Sequence, residues 1–513
     1  MTLSRAASAV AFLGLAGCAV PSNWPIIGSD RASLFHDAYA AIGDYYIEPV
    51  TPEKLALDGI GNLKSVDTAF SVERTGSAVI LRYGLSAVRL DAPEPNDTNG
   101  WASLTEAALR AAREQSRAVG ALSDDGAEET LIDGSLTALD RFSHYSAPDL
   151  ARERRAARDG FGGIGVTLNT ESGDVRIVEV LPDSPAAAAG LKVDDRIVAI
   201  DGADTSSLSG SEVIHRLRGA ADSLINLAVT RGGELARLAY AMRRMLVVPP
   251  SVTLTEEHDI ARLRITSFNQ HTAQSLADLL TKAHRDMGVG MRGIILDLRD
   301  NPGGLLDQSV DVASQFLDGV PVVSTIGRVP DSIQYFTAPH SAVERLPVAV
   351  LVNGGSASAA EIVASALQDT GRAVVVGSSS YGKGTVQNVQ RMPNEGELTI
   401  TWARLVTPAG YILHQHGVVP TICTANLPDD ADPIETMRRD GSGPGAELSR
   451  PRVSLDEAGW KRLRELCPGQ RDDHEIEVRA AERLLSDPAL YARALGSPAP
   501  TAQRPLSTAG VIH

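Results

Sequence analysis

Hydrophobic residues recur at helical spacing through the first part of the chain. Stretches with apolar side chains three and four positions apart are found at residues 34–45, 103–118 and 128–139. Ser33 precedes the first stretch and is a suitable N-cap. Residues 65–91 are richer in β-branched residues and predict a small strand pair. A helical N-terminal domain with an insertion is therefore expected over residues 30–149.

The pattern changes to short β segments between residues 150 and 247. Strands are predicted at residues 164–168, 175–180, 196–200 and 224–230, and a helix at residues 211–217. Short strands at this spacing form a compact β-rich module. Pro249 and Pro250 mark its end.

Strands and helices alternate in the next region, residues 248–425. Strands are predicted at residues 261–265, 293–298, 348–352 and 373–376, and helices at residues 272–284, 306–317 and 358–368. This order predicts βαβ units and a largely parallel sheet. A C-terminal helical region, residues 426–495, follows with helices at 455–466 and 475–485. Residues 496–513 are expected to be a disordered tail.

The length and the charge of the chain narrow its class. At 513 residues it is long enough for three or four domains. With 48 basic and 64 acidic residues, its net charge of −16 argues against a nucleic-acid surface, which needs clustered basic residues.

The N-terminus resembles an export signal. Arg5 precedes an apolar run of about ten residues, which is too short to span a bilayer but suits a signal peptide. The sequence ending at Cys18 resembles a bacterial lipoprotein lipobox, in which that cysteine is lipidated; an ordinary signal peptide is the alternative. Residues 1–18 would be removed, residues 19–29 would be a tether, and the protein would face the periplasm of a bacterial cell envelope. No later segment looks transmembrane, so only the lipid would anchor it to a membrane.

Two cysteines remain in the mature chain, Cys423 and Cys467. In an oxidising compartment such a pair often forms a disulfide, and two buried free thiols are the alternative. Neither cysteine has the spacing of a metal site.

Three turns follow buried strands in the α/β region, at residues 300–304, 353–358 and 381–384. In open α/β sheets, ligands bind at the carboxyl ends of strands, so the three turns are expected to share one crevice. Ser358 with Glu361 forms a capping box, a purely structural role. The same serine also lies on a Gly-rich strand-to-helix turn, which exposes a nucleophile at a helix N-terminus.

Lys383 also fits part of a phosphate-binding pattern. Gly377, Gly382 and Lys383 match the P-loop spacing, which raises the alternative of a nucleotide-dependent enzyme. Gly384 occupies the position where a Ser or Thr would reach magnesium, and the following residues alternate like a strand. A P-loop instead needs a helix N-terminus there to hold the phosphate, so the pattern fails.

Several motifs occur in the order found in one enzyme family. They are Phe161-Gly162-Gly163-Ile164-Gly165, residues 297–304 (DLRDNPGG), residues 355–362 (GSASAAEI), residues 382–387 (GKGTVQ) and residues 139–145 (LDRFSHY). Together they resemble the carboxy-terminal processing (tail-specific) serine peptidases over residues 30–422. The resemblance implies a multidomain α/β protein with a helical N-terminal domain, a PDZ-like module, a crotonase-like peptidase core and C-terminal helices.

The resemblance assigns catalytic roles to three side chains. It implies that Ser358 is the nucleophile, Lys383 the general base and Gln387 the residue that orients the amine. Lysine acts as a base near neutral pH only when burial lowers its pKa, and no carboxylate is expected next to it that would hold it charged. The backbone N–H of Ala359 and one from the turn of Gly303 and Gly304 would bind the oxyanion.

The resemblance also implies what the protein binds. The loop of Phe161, Gly162, Gly163, Ile164 and Gly165 would bind a peptide C-terminus, and the peptide would add a strand beside it. The partners would then be protein substrates with accessible C-termini, with no metal, cofactor or nucleic acid. An adaptor protein or a homo-oligomer is left open. The rival interpretation is a catalytically inactive PDZ adaptor or ligand-binding protein on the same fold, against which the intact Ser358, Lys383 and Gln387 argue.

Overall fold

The computed structural model describes residues 31–170, 174–232, 236–341, 343–428, 431–432, 434, 455–470 and 475–495. The predicted signal peptide of residues 1–18 with Cys18, the tether of residues 19–29 and the tail of residues 496–513 lie outside the described residues. Short 3₁₀ turns occur at Asn62–Ser65, Thr205–Ser207, Gly288–Gly290 and Pro330–Ser332.

The N-terminal domain packs helices around a core centred on Trp101, Phe35 and Tyr39. Its helices are α1 (Arg31–Tyr45), α2 (Pro52–Gly61), α3 (Thr98–Gln115), α4 (Arg117–Gly120) and α5 (Asp124–Leu136), and its strands are β1 (Phe70–Thr75), β2 (Ala78–Tyr83) and β3 (Ser86–Asp91). The prediction that Ser33 caps the first helix is wrong, because α1 begins before it. The predicted strand pair is a three-stranded antiparallel sheet. Gly76 and Gly84, with φ of +61° and +56°, make the two turns.

One helix that the sequence did not predict joins this domain to the next. It is α6 (Pro148–Asp159), and it follows the short strand β4 (His144–Ser146). Its sequence is mostly charged, so it lacks the apolar stripe by which a helix is recognised. Pro148 at its first turn is a favourable helix start.

The β-rich module is a twisted antiparallel sheet with two helices. Its elements are β5 (Phe161–Gly163), β6 (Val166–Asn169), β7 (Arg176–Val180), β8 (Arg196–Ile200), β9 (Ala203–Asp204), β10 (Leu224–Thr230), β11 (Leu238–Arg243), β12 (Met245–Val247), α7 (Pro185–Ala189) and α8 (Gly210–Leu217). The strand order is β11-β10-β8-β7-β6, so β6 is an edge strand of the described sheet. The predicted strand over residues 164–168 is broken, because Gly165 has φ of +77° and separates β5 from β6. Strand β5 pairs with β12 instead.

The core of the molecule contains two sheets. Its elements are β13 (Val252–Glu257), β14 (Ile260–Ile265), β15 (Gly293–Asp297), β16 (Pro321–Gly327), β17 (Gln334–Thr337), β18 (Val348–Val352), β19 (Ala373–Gly377), β20 (Thr385–Arg391), β21 (Glu397–Val406), β22 (Ile422–Cys423), α9 (Thr272–Met287), α10 (Leu306–Ser314) and α11 (Ala359–Asp369). The first sheet has the order β13-β14-β15-β18-β19-β22 and is parallel from β14 to β22, as predicted from the βαβ pattern. Strands β15, β18 and β19 are buried neighbours that run parallel, so the three predicted turns, which follow them, emerge at one edge.

The second sheet of the core brings distant segments together. Its order is β17-β16-β21-β20, and β4 pairs with the far end of β21. The segment of residues 139–145, which runs into β4, is thereby placed beside β21. Contacts of this kind join positions more than 200 residues apart in sequence.

The C-terminal region consists of α12 (Glu457–Leu466), α13 (Glu475–Ser486) and α14 (Pro488–Leu495), the last of which the sequence did not predict. Helix α13 packs on the parallel sheet, where Glu477 lies 3.0 Å from the Arg299 guanidinium in a buried ion pair. Burial raises the pKa of Glu477 to about 7, against the effect of Arg299. A disulfide joins Cys423 to Cys467. None of the helices in the described ranges has the length and hydrophobicity needed to cross a bilayer.

Candidate active site

Ser358 occupies the turn between β18 and α11. Its φ of +55° is unusual for a residue with a side chain, and such strain is characteristic of functional turns. Ser356, two residues earlier, is fully buried: its hydroxyl donates to the carbonyl of Leu298 (2.8 Å) and accepts from the amide of Asn353 (2.9 Å). Ser356 is therefore a structural residue, and Ser358 is the serine at the helix N-terminus.

Lys383 lies in the turn that follows β19, between two glycines. A Cβ on Gly384 would be 2.0 Å from the amide nitrogen of His414, so the backbone approaches more closely there than any side chain permits. The ammonium group of Lys383 lies 5.4 Å from the centre of the Phe142 ring. Burial lowers the pKa of Lys383, and the charges of Glu361 and Asp140 raise it in part. The prediction that no carboxylate neighbours this lysine is wrong, but desolvation is the larger effect.

Glu361 connects the serine turn to the lysine turn. Its carboxylate is fully buried and accepts hydrogen bonds from the backbone amides of Ser358 (2.8 Å), Gly382 (2.7 Å) and Lys383 (2.9 Å), and from the hydroxyl of Ser380. One carboxylate thus fixes the backbone on both sides of the site. Sequence reasoning found Glu361 only as a member of a capping box and missed this connection, because the lysine turn is 22 residues away.

Two backbone N–H groups are available near Ser358. Within the described part of the chain, the amides of Ala359 and Gly304 have no hydrogen-bond acceptor. The amide of Gly303, the third predicted donor, is engaged with the side-chain oxygen of Asn301 at 2.8 Å. The prediction is therefore corrected for Gly303, whose role is steric: a Cβ there would lie 2.7 Å from the Cβ of Ser358.

Gln387 is held by its amide nitrogen. That nitrogen donates to the hydroxyls of Thr385 (2.8 Å) and Thr401 (3.2 Å). The ladder between β20 and β21 is irregular at Val386 and Gln387. Among the described residues, no hydrogen bond joins Gln387 to the Lys383 amine. Its orienting role stays a prediction.

A single cleft of about 490 Å³ brings the predicted site residues together. It is lined by Ser358, Ala359, Lys383, Gln387, Gly303 and Gly304. Side chains that sequence reasoning did not select also line it, namely the polar His144, Arg154 and Arg158 and the apolar Phe268, Leu306, Ile362, Val386 and Leu405. Arg154 and Arg158 come from α6, and no sequence signal connects that helix to the cleft. The apolar wall suits an apolar substrate side chain next to the reacting bond.

His144 lines the cleft and is held there through both ring nitrogens. One ring nitrogen bonds to the carbonyl of Phe142 at 3.0 Å, and the other contacts Arg154. Burial lowers the pKa of His144, and the charges of Arg154 and Lys383 add to this effect. Elsewhere in the described residues, no three His, Cys, Asp or Glu side chains come together as a metal site.

The predicted peptide-binding loop, residues 161–165, has two parts that differ in their backbone hydrogen bonds. Phe161, Gly162 and Gly163 already pair with β12, and Gly162 also bridges to Gly219. Ile164 and Gly165, the next two residues, have backbone amides that meet no acceptor within the described ranges. The edge of β6 that no strand of the described residues covers begins directly after them. Any carboxylate bound here would therefore meet Ile164 and Gly165 rather than the first three residues.

Comparison with known proteins assigns the chain to a family. Residues 259–424 match the sequence model described as peptidase family S41, and residues 162–240 match that of the PDZ domain. A carboxy-terminal-processing protease of Bartonella bacilliformis is 37% identical over 300 residues, covering 57% of this chain and 68% of that protein. The chain belongs to the carboxy-terminal processing protease family.

Another relative agrees with this assignment. A carboxyl-terminal-processing protease of Synechocystis is 33% identical over 300 residues, 57% of this chain and 69% of that protein. The structure of a photosystem II D1 C-terminal processing protease is 24% identical, with a TM-score of 0.40, over 77% of this chain and 92% of that one. As a carboxy-terminal processing protease, the chain is a serine-type hydrolase with a PDZ domain. The family, the α/β fold class and the enzyme class predicted from the motifs are confirmed.

Proposed function

We propose that this carboxy-terminal processing protease cleaves proteins near their C-termini in the bacterial cell envelope, by a Ser358–Lys383 dyad. The observation that carries the proposal is the cleft itself. A serine on a strained helix-start turn, a lysine whose pKa burial lowers and two free backbone amides line the same space. These are the nucleophile, the base and the oxyanion donors that acyl transfer needs.

The reaction proceeds through an acyl-enzyme. Neutral Lys383 takes the hydroxyl proton of Ser358 as the oxygen attacks the scissile carbonyl, and the amides of Ala359 and Gly304 stabilise the oxyanion. The lysine ammonium then gives that proton to the departing amine as the C–N bond breaks. Water, deprotonated by Lys383, attacks the ester, and the proton returns to Ser358 when the acid product leaves. Gln387 orients the lysine amine without adding charge.

The PDZ domain supplies the selection of C-termini. A substrate segment adds as a strand to the free edge of β6, and its carboxylate accepts hydrogen bonds from Ile164 and Gly165. Sheet addition reads mainly the backbone, so the sequence of the bound tail matters less than its being free and unfolded. The partners are therefore protein substrates with accessible C-termini.

The location in the cell envelope rests on Cys18 and its context. Its lipobox resemblance supports a lipid-anchored protein that faces the periplasm, and a disulfide between Cys423 and Cys467 suits an oxidising compartment. The Cys18→Ser variant is expected to leave the membrane fraction or to stay unprocessed, whereas the mature wild-type protein begins at a lipidated Cys18. Fractionation and mass spectrometry of the N-terminus check this. An unmodified N-terminus further downstream would contradict the anchor.

The catalytic assignment is tested by a pair of serine variants. Ser358→Ala is expected to abolish cleavage of a protein with an unstructured C-terminus, with the fold intact, because loss of a cap costs only about 1 kcal/mol. Ser356→Ala is the matched control, since it removes the other hydroxyl of the same turn. It is expected to lose stability by about 1–3 kcal/mol but to remain active. Mass spectrometry of the products and thermal melts report both effects, and an active Ser358→Ala protein would refute the assignment.

A further inference from the structure

The C-terminal segment of residues 455–470, called here the docking segment, contacts the serine turn and the residues that lead into the lysine turn. The amide of Gly354, in the serine turn, donates to the carbonyl of Gln470 at 2.5 Å. On the lysine side, the hydroxyl of Ser379 donates to the carbonyl of Cys467 at 2.5 Å, and the hydroxyl of Ser378 bonds to Gln470 at 3.0–3.1 Å. The match to peptidase family S41 ends at residue 424, before this segment begins. The segment thus adds contacts from outside the matched region.

Arg464 of α12 contacts the chain just before the lysine turn. Its guanidinium donates twice to the carbonyl of Ser380, at 3.2 Å from each terminal nitrogen, and once to the carbonyl of His416 at 2.7 Å. The hydroxyl of the same Ser380 donates to the Glu361 carboxylate. The Arg464 guanidinium and the Glu361 carboxylate both approach Gly417, and these two groups lie within about 6 Å of each other.

The charges around Glu361 come from two elements. Lys383 faces the carboxylate from the lysine turn and Arg464 from α12. Lys383 is faced in turn by Asp140 and by His144. Beside Arg464 lies His416, whose ring stacks on Trp460 at 4.7 Å. An ionised Glu361 therefore attracts both cations. Because Arg464 compensates part of the negative charge of Glu361, that carboxylate stabilises the charged form of Lys383 less.

We propose that Arg464 is a positioning residue of the active site, which compensates the charge of the buried Glu361 carboxylate and binds the carbonyl of Ser380, just before Lys383 in the chain. The role rests on the proposed Ser358–Lys383 dyad. Arg464 does not touch substrate. It acts through Glu361 and the lysine turn, and it lets Lys383 lose its proton at a lower pH than it would beside an uncompensated carboxylate.

The test is the pH profile of kcat in the full-length protein, with an unstructured protein as substrate. Activity requires neutral Lys383, so it rises with pH through the pKa of that lysine. In Arg464→Gln, Glu361 is compensated by Lys383 alone, and the acid limb is expected to move to higher pH by about one unit. At pH 7, kcat falls about tenfold as a result, while KM changes little. Lys461→Gln, an exposed charge on the same helix, is the control and should match the wild type.

A second variant separates charge from shape. Arg464→Lys keeps the charge but loses the paired donation to Ser380, so it is expected to keep the wild-type acid limb with kcat lowered about threefold. An unmoved limb in Arg464→Gln, or a moved limb in Arg464→Lys, would overturn the proposal. If Arg464→Gln fails to fold, Arg464→Lys alone decides. Substantial activity in Lys383→Arg, measured in parallel, would instead overturn the dyad and this proposal together.

Discussion

At the scale of single residues, opposed effects determine the pKa of Lys383. Burial disfavours the ammonium form, whereas the carboxylates of Glu361 and Asp140 favour it. The Phe142 ring beside the amine also favours a cation. The pKa of Lys383 is nevertheless lowered, so desolvation outweighs the attraction. Burial raises the pKa of Glu361, and hydrogen bonds from the Ser380 hydroxyl and from the backbone amides of Gly382, Ser358 and Lys383 lower it in part.

The arginine variant of Lys383 tests the neutral-lysine mechanism. Lys383→Arg is expected to be as inactive as Lys383→Ala, because arginine keeps its proton at every accessible pH and cannot accept one from Ser358. For the wild type, kcat/KM is expected to rise with pH until Lys383 is neutral, with a midpoint below the ordinary lysine pKa of about 10.4. Gln387→Ala, which removes only orientation, should lose less activity than either lysine variant.

Steady-state kinetics across pH 5–10, with a thermal melt for each variant, check these outcomes. Activity in Lys383→Arg above a tenth of the wild-type value would mean that another group is the base. His144, which also lines the cleft, would then be the next candidate for the base.

At the scale of elements, the disulfide ties α12 to the edge of the parallel sheet. Cys423 lies on β22 and Cys467 at the end of α12, 44 positions apart in sequence. Cys467 also supplies the carbonyl that accepts from Ser379, two residues beyond the end of β19. The bond therefore fixes the point at which the docking segment meets the lysine turn.

Removing this disulfide should affect stability and turnover together. Cys423→Ser/Cys467→Ser is expected to lower the free energy of unfolding by about 2–4 kcal/mol, since the open chain gains conformational freedom. It should also lower kcat more than KM, because the support of the lysine turn weakens while the substrate cleft is unchanged. Denaturant unfolding and steady-state kinetics measure the two effects. Reductant should reproduce the loss in the wild type and leave the double variant unaffected; an unchanged kcat would contradict the coupling.

At the scale of the whole molecule, capture and cleavage lie in different domains that α6 joins. The helix runs from β4, in the sheet beside Lys383, to β5 at the start of the PDZ domain. The guanidinium groups of Arg155 and Arg158 in this helix form ion pairs with the Glu397 carboxylate on the peptidase side, at 3.0 and 3.3 Å. A substrate tail bound to β6, as proposed above, would thus be held by a module with a defined connection to the cleft.

The C-terminal carboxylate of the substrate should therefore matter. Amidation removes the charge that Ile164 and Gly165 would bind, and charge-assisted hydrogen bonds are about twice as strong as neutral ones. Matched free-acid and amide protein substrates are expected to differ several-fold in kcat/KM, with the amide poorer. Short peptides that reach the cleft directly should be less affected. Equal kcat/KM for the two protein substrates would contradict selection by the PDZ domain.

What the sequence determined by itself was local or periodic. Strand β18 was predicted at its observed bounds, because a run of buried apolar residues between turns leaves few alternatives. The turns with Ser358 and Lys383 were found because their glycines, capping residues and strand context all lie within a few positions. Helix α6 was missed, since its charged sequence has no apolar stripe, and the split between β5 and β6 at Gly165 was missed as well.

Only the tertiary structure decided how these local pieces act on each other. The amide of Gly303 donates to Asn301, whereas that of Gly304 meets no acceptor in the described part of the chain. The path of the turn sets this difference, because the two residues are identical. Likewise, Glu361 meets Lys383, and Arg464 meets Ser380, only because the sheet order and α12 bring them together. Hydrogen bonds and desolvation depend on distances in space, so the residue types of a site can be found in the sequence, whereas their proton affinities and free donors are set by the fold.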